Sequence, residues 1–179
     1  MISPQDILQF WFDELSDEDW FKKNDKVDQK ISQRFKEYYQ KAKTGELFKW
    51  RETPEGRLAE ILILDQFPRN MFRGSAQAFE TDSLALILAQ EMVLQKLDEK
   101  LEISKRAFIY LPYMHSESLS IHEEAVKLFS QKGLEENLKF EMAHKKVIEM
   151  FGRYPHRNET LGRISTQEEK EYLKENKGW

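Results

Sequence analysis

Two stretches of the chain gather residue types able to do chemistry: LDQFPRNMFRG, Leu64 to Gly74, and FGRYPHRNETLGR, Phe151 to Arg163. Each leads from an apolar segment into an aromatic residue and a proline, then Arg and Asn with or without an inserted His, and closes on an arginine next to a glycine. The echo fits an ancient duplication or a shared way of ending a helix, and the second reading is the simpler. Five of the nine arginines (Arg69, Arg73, Arg153, Arg157, Arg163) fall in these segments, and none of the nineteen lysines does. Lysine is the ordinary solubilising cation, whereas the planar guanidinium fork binds carboxylates and phosphates with two parallel hydrogen bonds. This usage therefore predicts a pocket for an anionic ligand. Arg69, Arg73, Arg153 and Arg157 would clamp the anion, Gln66, Asn70, Asn158 and His156 would line it with further polar groups, and Phe67, Phe72 or Tyr154 would form a stacking wall. The structural alternative is that the arginines pair with Asp65, Asp82, Glu117 or Glu159 and tie long loops to the body.

Between the two segments lies LPYMHSE, whose His115 and Glu117 could act as a base with an orienting carboxylate, or as metal ligands. The plainer reading has Ser116 and Glu117 capping the following helix. His144 sits four residues after Phe140 and three before Val147, on or beside the apolar face of its helix, and His122 reads as a boundary position. If the pocket is catalytic, Asp65 or Glu117 orienting His115, His144 or His156 is the acid/base pair the sequence offers; whether the chain is an enzyme stays open. No His-Glu-x-x-His spacing supports a metal, no nucleophile elbow surrounds Ser75 or Ser116, and no glycine-rich nucleotide loop occurs, so no cofactor is expected. A net charge of −4, with acids mixed among the lysines, argues against nucleic acid.

The elements that must position these groups are helices. Only 7 Gly and 5 Pro occur in 179 residues, and 34% of the residues are charged. Apolar residues recur every three or four positions, the period of a helix rather than a strand. Ser3-Pro4 with Asp6 opens a first helix. Val27, Ile31, Phe35, Tyr38 and Ala42 line a second, ended by Gly45. Thr53-Pro54 starts a third that Pro68 must stop. Thr81-Asp82 caps a fourth from Ser83 to about Leu97, and a fifth runs from Ser104 to Pro112. Ser116 or Ser118 caps a sixth, with Leu119, Val126 and Phe129 inward. The seventh spans about Glu135 to Phe151, with Leu138, Met142, Val147 and Phe151 as core, and Gly152 ends it. The run Ser165-Thr166-Gln167-Glu168 is a capping box for the last. These elements predict an all-α fold, one domain over residues 1–179, built of antiparallel helix pairs. The absence of cysteine excludes disulfides and thiolate sites. With no leader-like start and no apolar run beyond Leu84 to Ala89, the expectation is a cytoplasmic protein with no membrane contact.

At the same residues, LDQFPRNMFRG, AFETD (Ala78 to Asp82), LPYMHSE and AHKKVIEMFGRYPHRNETLGRIST (Ala143 to Thr166), the chain resembles a bacterial family known only as domain of unknown function 924. The resemblance covers essentially the whole chain and implies a tetratricopeptide-like helical fold. It brings no activity, substrate, cofactor or catalytic residue. The functional expectation is therefore a small phosphate- or carboxylate-bearing ligand in an Arg/Asn/His-lined pocket. The alternative is a protein- or peptide-interaction module using a helical groove, with the arginine loops purely structural. Exposed aromatics among Trp11, Trp20, Phe21, Trp50 and Tyr113 would be the signature of that alternative.

Overall fold

The computed structural model describes residues 2–176 and 178, and among them there are ten α-helices and no strand. In chain order the helices are α1 (Pro4–Gln9), α2 (Asp17–Phe21), α3 (Asp25–Lys43), α4 (Pro54–Asp65), α5 (Phe67–Met71), α6 (Asp82–Leu94), α7 (Ile103–Met114), α8 (Leu119–Phe129), α9 (Glu135–Phe151) and α10 (Gln167–Glu175). A wider π-helical turn, Phe10–Glu14, continues α1, and short 3-10 turns lie at Phe48–Glu52, Ala76–Phe79, Asp98–Lys100 and Pro155–Arg157.

Several boundaries follow directly from local chemistry. Ser3 and Asp6 cap α1 reciprocally, and the Thr53 hydroxyl accepts the Gly56 N–H at the start of α4. Gly56 itself is required there, because a Cβ would lie 1.9 Å from the Trp50 carbonyl oxygen. Gly152 ends α9 in the left-handed region at φ +67°. Pro68 has no N–H to give the Leu64 carbonyl. The buried Thr81 hydroxyl donates to that oxygen instead, at 2.6 Å. Thr81 is thus the residue before α6 but its side chain does not cap it, contrary to the sequence expectation.

Other expectations also shift. Helix α7 continues past Pro112 to Met114, and α10 is capped by Thr166 with Glu169 three residues on, rather than by Ser165 with Glu168. Leu119 and Met142 are exposed, not core. The short α2 and the turn at Phe48–Glu52 have no counterpart in the hydrophobic pattern, being too brief to show a period.

Helix α4 lies at the centre, with α1, α3, α6 and α7 packed around it. Every residue from Leu58 to Asp65 is buried, which explains why the segment reads as apolar on all sides rather than on one stripe. The main apolar core runs from Ile7 through Leu134, and a second, smaller cluster of Val147, Ile148 and Tyr154, with Phe151 and Tyr172, lies towards the C-terminal end. Trp11 and Tyr113 are buried in the main core, and Trp20 and Trp50 pack against it; the Phe21 side chain lies outside the described residues. The exposed aromatic signature expected for an interaction groove is therefore not formed by Trp11 or Tyr113. No helix is long and apolar enough to cross a membrane, among the described residues.

Candidate functional site

The two arginine-bearing segments meet where the end of α4 and α5 approach the turn at Pro155–Arg157, with Phe79 and Asp82 between them. Four of the five arginines each hold a carboxylate with two hydrogen bonds. Arg69 donates to both oxygens of Asp82 at 2.8 and 3.0 Å and also to the Asp65 backbone carbonyl. Arg73 holds Asp28 through two bonds of 2.9 Å, joined by the Asn70 amide at 2.8 Å, so these two residues pin α5 to α3. Arg153 grips Glu169 at 2.6 and 2.8 Å and the Ile164 carbonyl at 2.9 Å. Arg163 grips Glu117 at 2.6 and 2.9 Å, and Glu117 also accepts the Tyr154 N–H at 2.7 Å. The Asn158 amide donates to Ser165 and Glu169 and its oxygen accepts from Arg163. Asn70, Arg73, Arg153 and Asn158 are in this way spent on tying loops down, as the structural alternative has it for the arginines. The carboxylates differ in part: Asp28 and Glu169 are not among the partners expected.

Arg157 is the exception. Its side chain is 8% exposed, and its nearest carboxylate contact is Asp82 Oδ2 at 3.5 Å, an oxygen already held by Arg69. Its guanidinium carbon lies 4.5 Å from the Phe79 ring centroid and 4.6 Å from that of Tyr154. Among the described residues its buried Nε finds no hydrogen-bond partner. Burial, together with the nearby Arg69 charge, pushes its basicity below the usual arginine range. A buried cation of this kind is costly unless something else completes its hydrogen bonds.

Arg157 lines a cavity of about 340 Å³ together with Phe79, Asp82, His115, Ser116 and Glu117. On the cavity's other flank, His115 Nδ1 lies 2.7 Å from Oδ1 of Asp65, whose second oxygen accepts the Gln66 amide at 2.5 Å. Asp65 is completely buried. Burial alone would raise its carboxyl, but His115 and the Arg69 charge at 3.6 Å hold it down at about 2. The carboxylate is therefore ionised and His115 Nδ1–H donates to it. Burial and Arg69 in turn push His115 below the ordinary histidine range, outweighing the pull of Asp65, so its ring is neutral and Nε2 is a bare acceptor. Nε2 makes no hydrogen bond among the described residues. His115, Asp65, Arg69, Asp82 and Arg157 thus form one array of neighbouring groups whose two end residues, a histidine with an acceptor nitrogen and an arginine with an under-bonded guanidinium, both line the cavity.

His144 and His156 flank Tyr154 rather than the cavity. Their ring centroids lie 5.7 and 5.6 Å from its ring, and the His144 Nδ1–H donates to the Phe140 carbonyl at 2.7 Å. Burial pushes His144 down to about 3, and burial with the adjacent Arg157 pushes His156 down to about 4. A buried pair missed in the sequence joins α8 to α9: His122 Nδ1 to Glu141 Oε1 at 2.6 Å, both fully buried. His122 Nε2–H donates to the Ser116 carbonyl at 2.8 Å, and the Tyr154 hydroxyl donates to that of Met114 at 2.6 Å. The legible signal was spacing: His122, Ala125 and Phe129 share the buried stripe of α8, and Glu141, His144 and Ile148 that of α9. Among the described residues no group of three or more His, Asp or Glu side chains is placed to hold a metal ion. A larger surface depression of about 770 Å³ lies between α9 and α10, but its charged lining, Glu168, Glu171 and Glu175, is acidic and repels anions.

Comparison with known proteins adds relatives without adding a reaction. A family model described as bacterial protein of unknown function (DUF924) matches residues 7–177. The solved structure of a protein of unknown function from Agrobacterium tumefaciens is similar over 97% of each chain, at 38% identity and a TM-score of 0.92. No curated protein matches the chain.

Proposed function

We propose that this chain, which belongs to the bacterial DUF924 family, binds a small anion in the cavity between the Ala76–Phe79 turn, α6, the end of α7 and the Pro155–Arg157 turn, with Arg157 as the anion anchor. The observation behind this reading is the buried Arg157 guanidinium, stacked on two rings and, among the described residues, short of hydrogen-bond partners, where its neighbouring arginines each hold a carboxylate with two hydrogen bonds. The acids around the cavity do not repel an anion at full strength. Glu117 is committed to Arg163, Asp82 to Arg69, and Glu80 to Lys43. Asp65, Gln66, Arg69, Glu117, His144 and His156 then serve as supports for Arg157 and His115, while Asn70, Arg73, Arg153 and Asn158 brace the loops.

Thermal unfolding with phosphate, nucleotide, phosphosugar and dicarboxylate ligands tests the reading. At ten times its dissociation constant a ligand raises the midpoint by about 3–6 °C for a chain of this size. Arg157→Lys, which keeps the charge but loses the fork, should lose most of that shift. No shift with any ligand in wild type overturns the proposal.

A second reading keeps one observation in its favour. Leu84, Ile87 and Leu94 of α6 are 39%, 55% and 78% exposed. They share one face, as an apolar strip for a protein partner would. Pull-down with the wild type and with Ile87→Glu would test it, and partner recovery unaffected by that change would count against it.

A further inference from the structure

We infer that the cavity selects oxyanions that still carry a hydrogen-bond donor, with the charge met at Arg157 and the donor met at Nε2 of His115. This rests on the anion site proposed above and adds the chemical class of its ligand. The two ends of the cavity ask for opposite things. Arg157 is donor-only and can satisfy nothing but an acceptor. His115 is fixed in one tautomer by the Asp65 carboxylate at 2.7 Å, which leaves Nε2 as acceptor-only. The ring is 15% exposed, so a wrong ligand atom placed against Nε2 would face a lone pair with little water to relieve it.

Turning the ring over would not rescue a mismatch. Whichever nitrogen faces the fully buried Asp65 carboxylate must carry the hydrogen, and the other nitrogen is again left as an acceptor. Protonating Nε2 is opposed by burial and by Arg69, which sits within reach of the same Asp65 oxygen. Glu117, Asp82 and Glu80 line the remaining wall and, though held by Arg163, Arg69 and Lys43, offer a ligand acceptors only, beside the hydroxyls of Ser83 and Ser116, which can donate or accept. Inorganic phosphate keeps at least one proton at neutral pH, whereas sulfate keeps none; a phosphate monoester loses its last proton near about pH 6. A 2-hydroxycarboxylate satisfies the same pattern, its carboxylate on Arg157 and its hydroxyl on His115.

Thermal-shift titrations at pH 7 and constant ionic strength, with two matched pairs, test the inference: phosphate against sulfate, and lactate against propionate. The donor-bearing member of at least one pair should bind about tenfold more tightly or better, the usual consequence of one buried group left unpaired. The pair that discriminates tells phosphate chemistry from hydroxy-acid chemistry. In His115→Asn, the amide keeps a donor towards Asp65 but removes the Nε2 acceptor, so the discrimination should fall to about twofold or less while the anion itself still binds. Equal binding within both pairs overturns the donor requirement and leaves the anion site standing. Discrimination that survives in His115→Asn overturns the assignment to His115. No binding of any of the four overturns the anion site and this inference together.

Discussion

Replacing Arg157 with methionine should leave the protein as stable as wild type or more stable, which is unusual for a buried charged residue. The guanidinium stacks on Phe79 and Tyr154. Each such cation–ring contact is worth about 1–2 kcal/mol at a buried site, and a methionine sulfur against the same rings recovers about half of it or more. The ion pair lost, at 3.5 Å, goes to an Asp82 that Arg69 still holds with two hydrogen bonds. Against these losses stands the buried Nε, which has no partner among the described residues. Its removal ends a cost of about 1–3 kcal/mol. The balance lies between no change and a gain of about 2 kcal/mol. Arg69→Met is the control. It takes from Asp82 both of its arginine hydrogen bonds, leaving only Arg157 at 3.5 Å, and removes a cation from the fully buried Asp65. Breaking a buried pair in this way should cost about 3–5 kcal/mol. Urea unfolding followed by circular dichroism measures both, and the same preparations titrated with phosphate should show binding lost in Arg157→Met. If Arg157→Met is destabilised as much as Arg69→Met, Arg157 is an integral member of the ion-pair array and its orphaned nitrogen carries no functional meaning.

Three further outcomes follow from the buried groups. His144 is held down at about 3 from its ordinary 6.5, so the unfolded chain takes up its proton first. Stability from this group is complete above about pH 6.5 and falls by about 1 kcal/mol per pH unit as acid is added towards about pH 4. Partly exposed His156 adds a smaller loss of the same sign, and an acid limb flat from the ordinary histidine range down to about pH 4 in chemical unfolding would refute this. Burial raises the Glu141 carboxyl, which favours its protonated form, and the His122 ring that gives Nε2–H to a carbonyl has Nδ1 free to accept from that carboxyl. Glu141→Gln should then cost less than about 1 kcal/mol and Glu141→Ala about 2–4 kcal/mol in urea unfolding, whereas equal losses would mean an ion pair. Thr81→Val leaves the Leu64 carbonyl without the donor that Pro68 cannot supply. It should cost about 1–3 kcal/mol, measured by the unfolding midpoint in urea.

What the sequence made legible, and what it did not, divides by distance along the chain. Caps, proline stops and glycine ends act within four residues, so Ser3, Thr53, Gly152 and the limits of α3, α4 and α9 could be read from their neighbours. The arginine clusters were visible as composition, but which carboxylate each one meets depends on contacts 13 to 46 residues away, such as Arg69 with Asp82 and Arg163 with Glu117. Spacing alone could not distinguish Arg157, short of partners among the described residues, from Arg153, held by Glu169 through two hydrogen bonds. The pairing of Asp65 with His115 bridges 50 residues and was one of several combinations the residue types allowed. Met142 and Leu119 misled because an apolar residue at a helical position need not face inward.

The cavity straddles a seam between the two apolar clusters. Asp65 and His115 belong to the body built around α4, Tyr154 belongs to the small C-terminal cluster and Arg157 stacks on it, and polar bonds join the two sides: Arg163 with Glu117, Tyr154 with Met114, His122 with Glu141. Small cooperative units with little apolar contact open before the rest of a protein does. Backbone amides of the 152–166 loop and α10 should then exchange with solvent sooner than those of α4. A ligand held between His115 and Arg157 would bolt the seam, slowing that exchange in α10 as well as beside Arg157 while leaving the amides of α4 as they were.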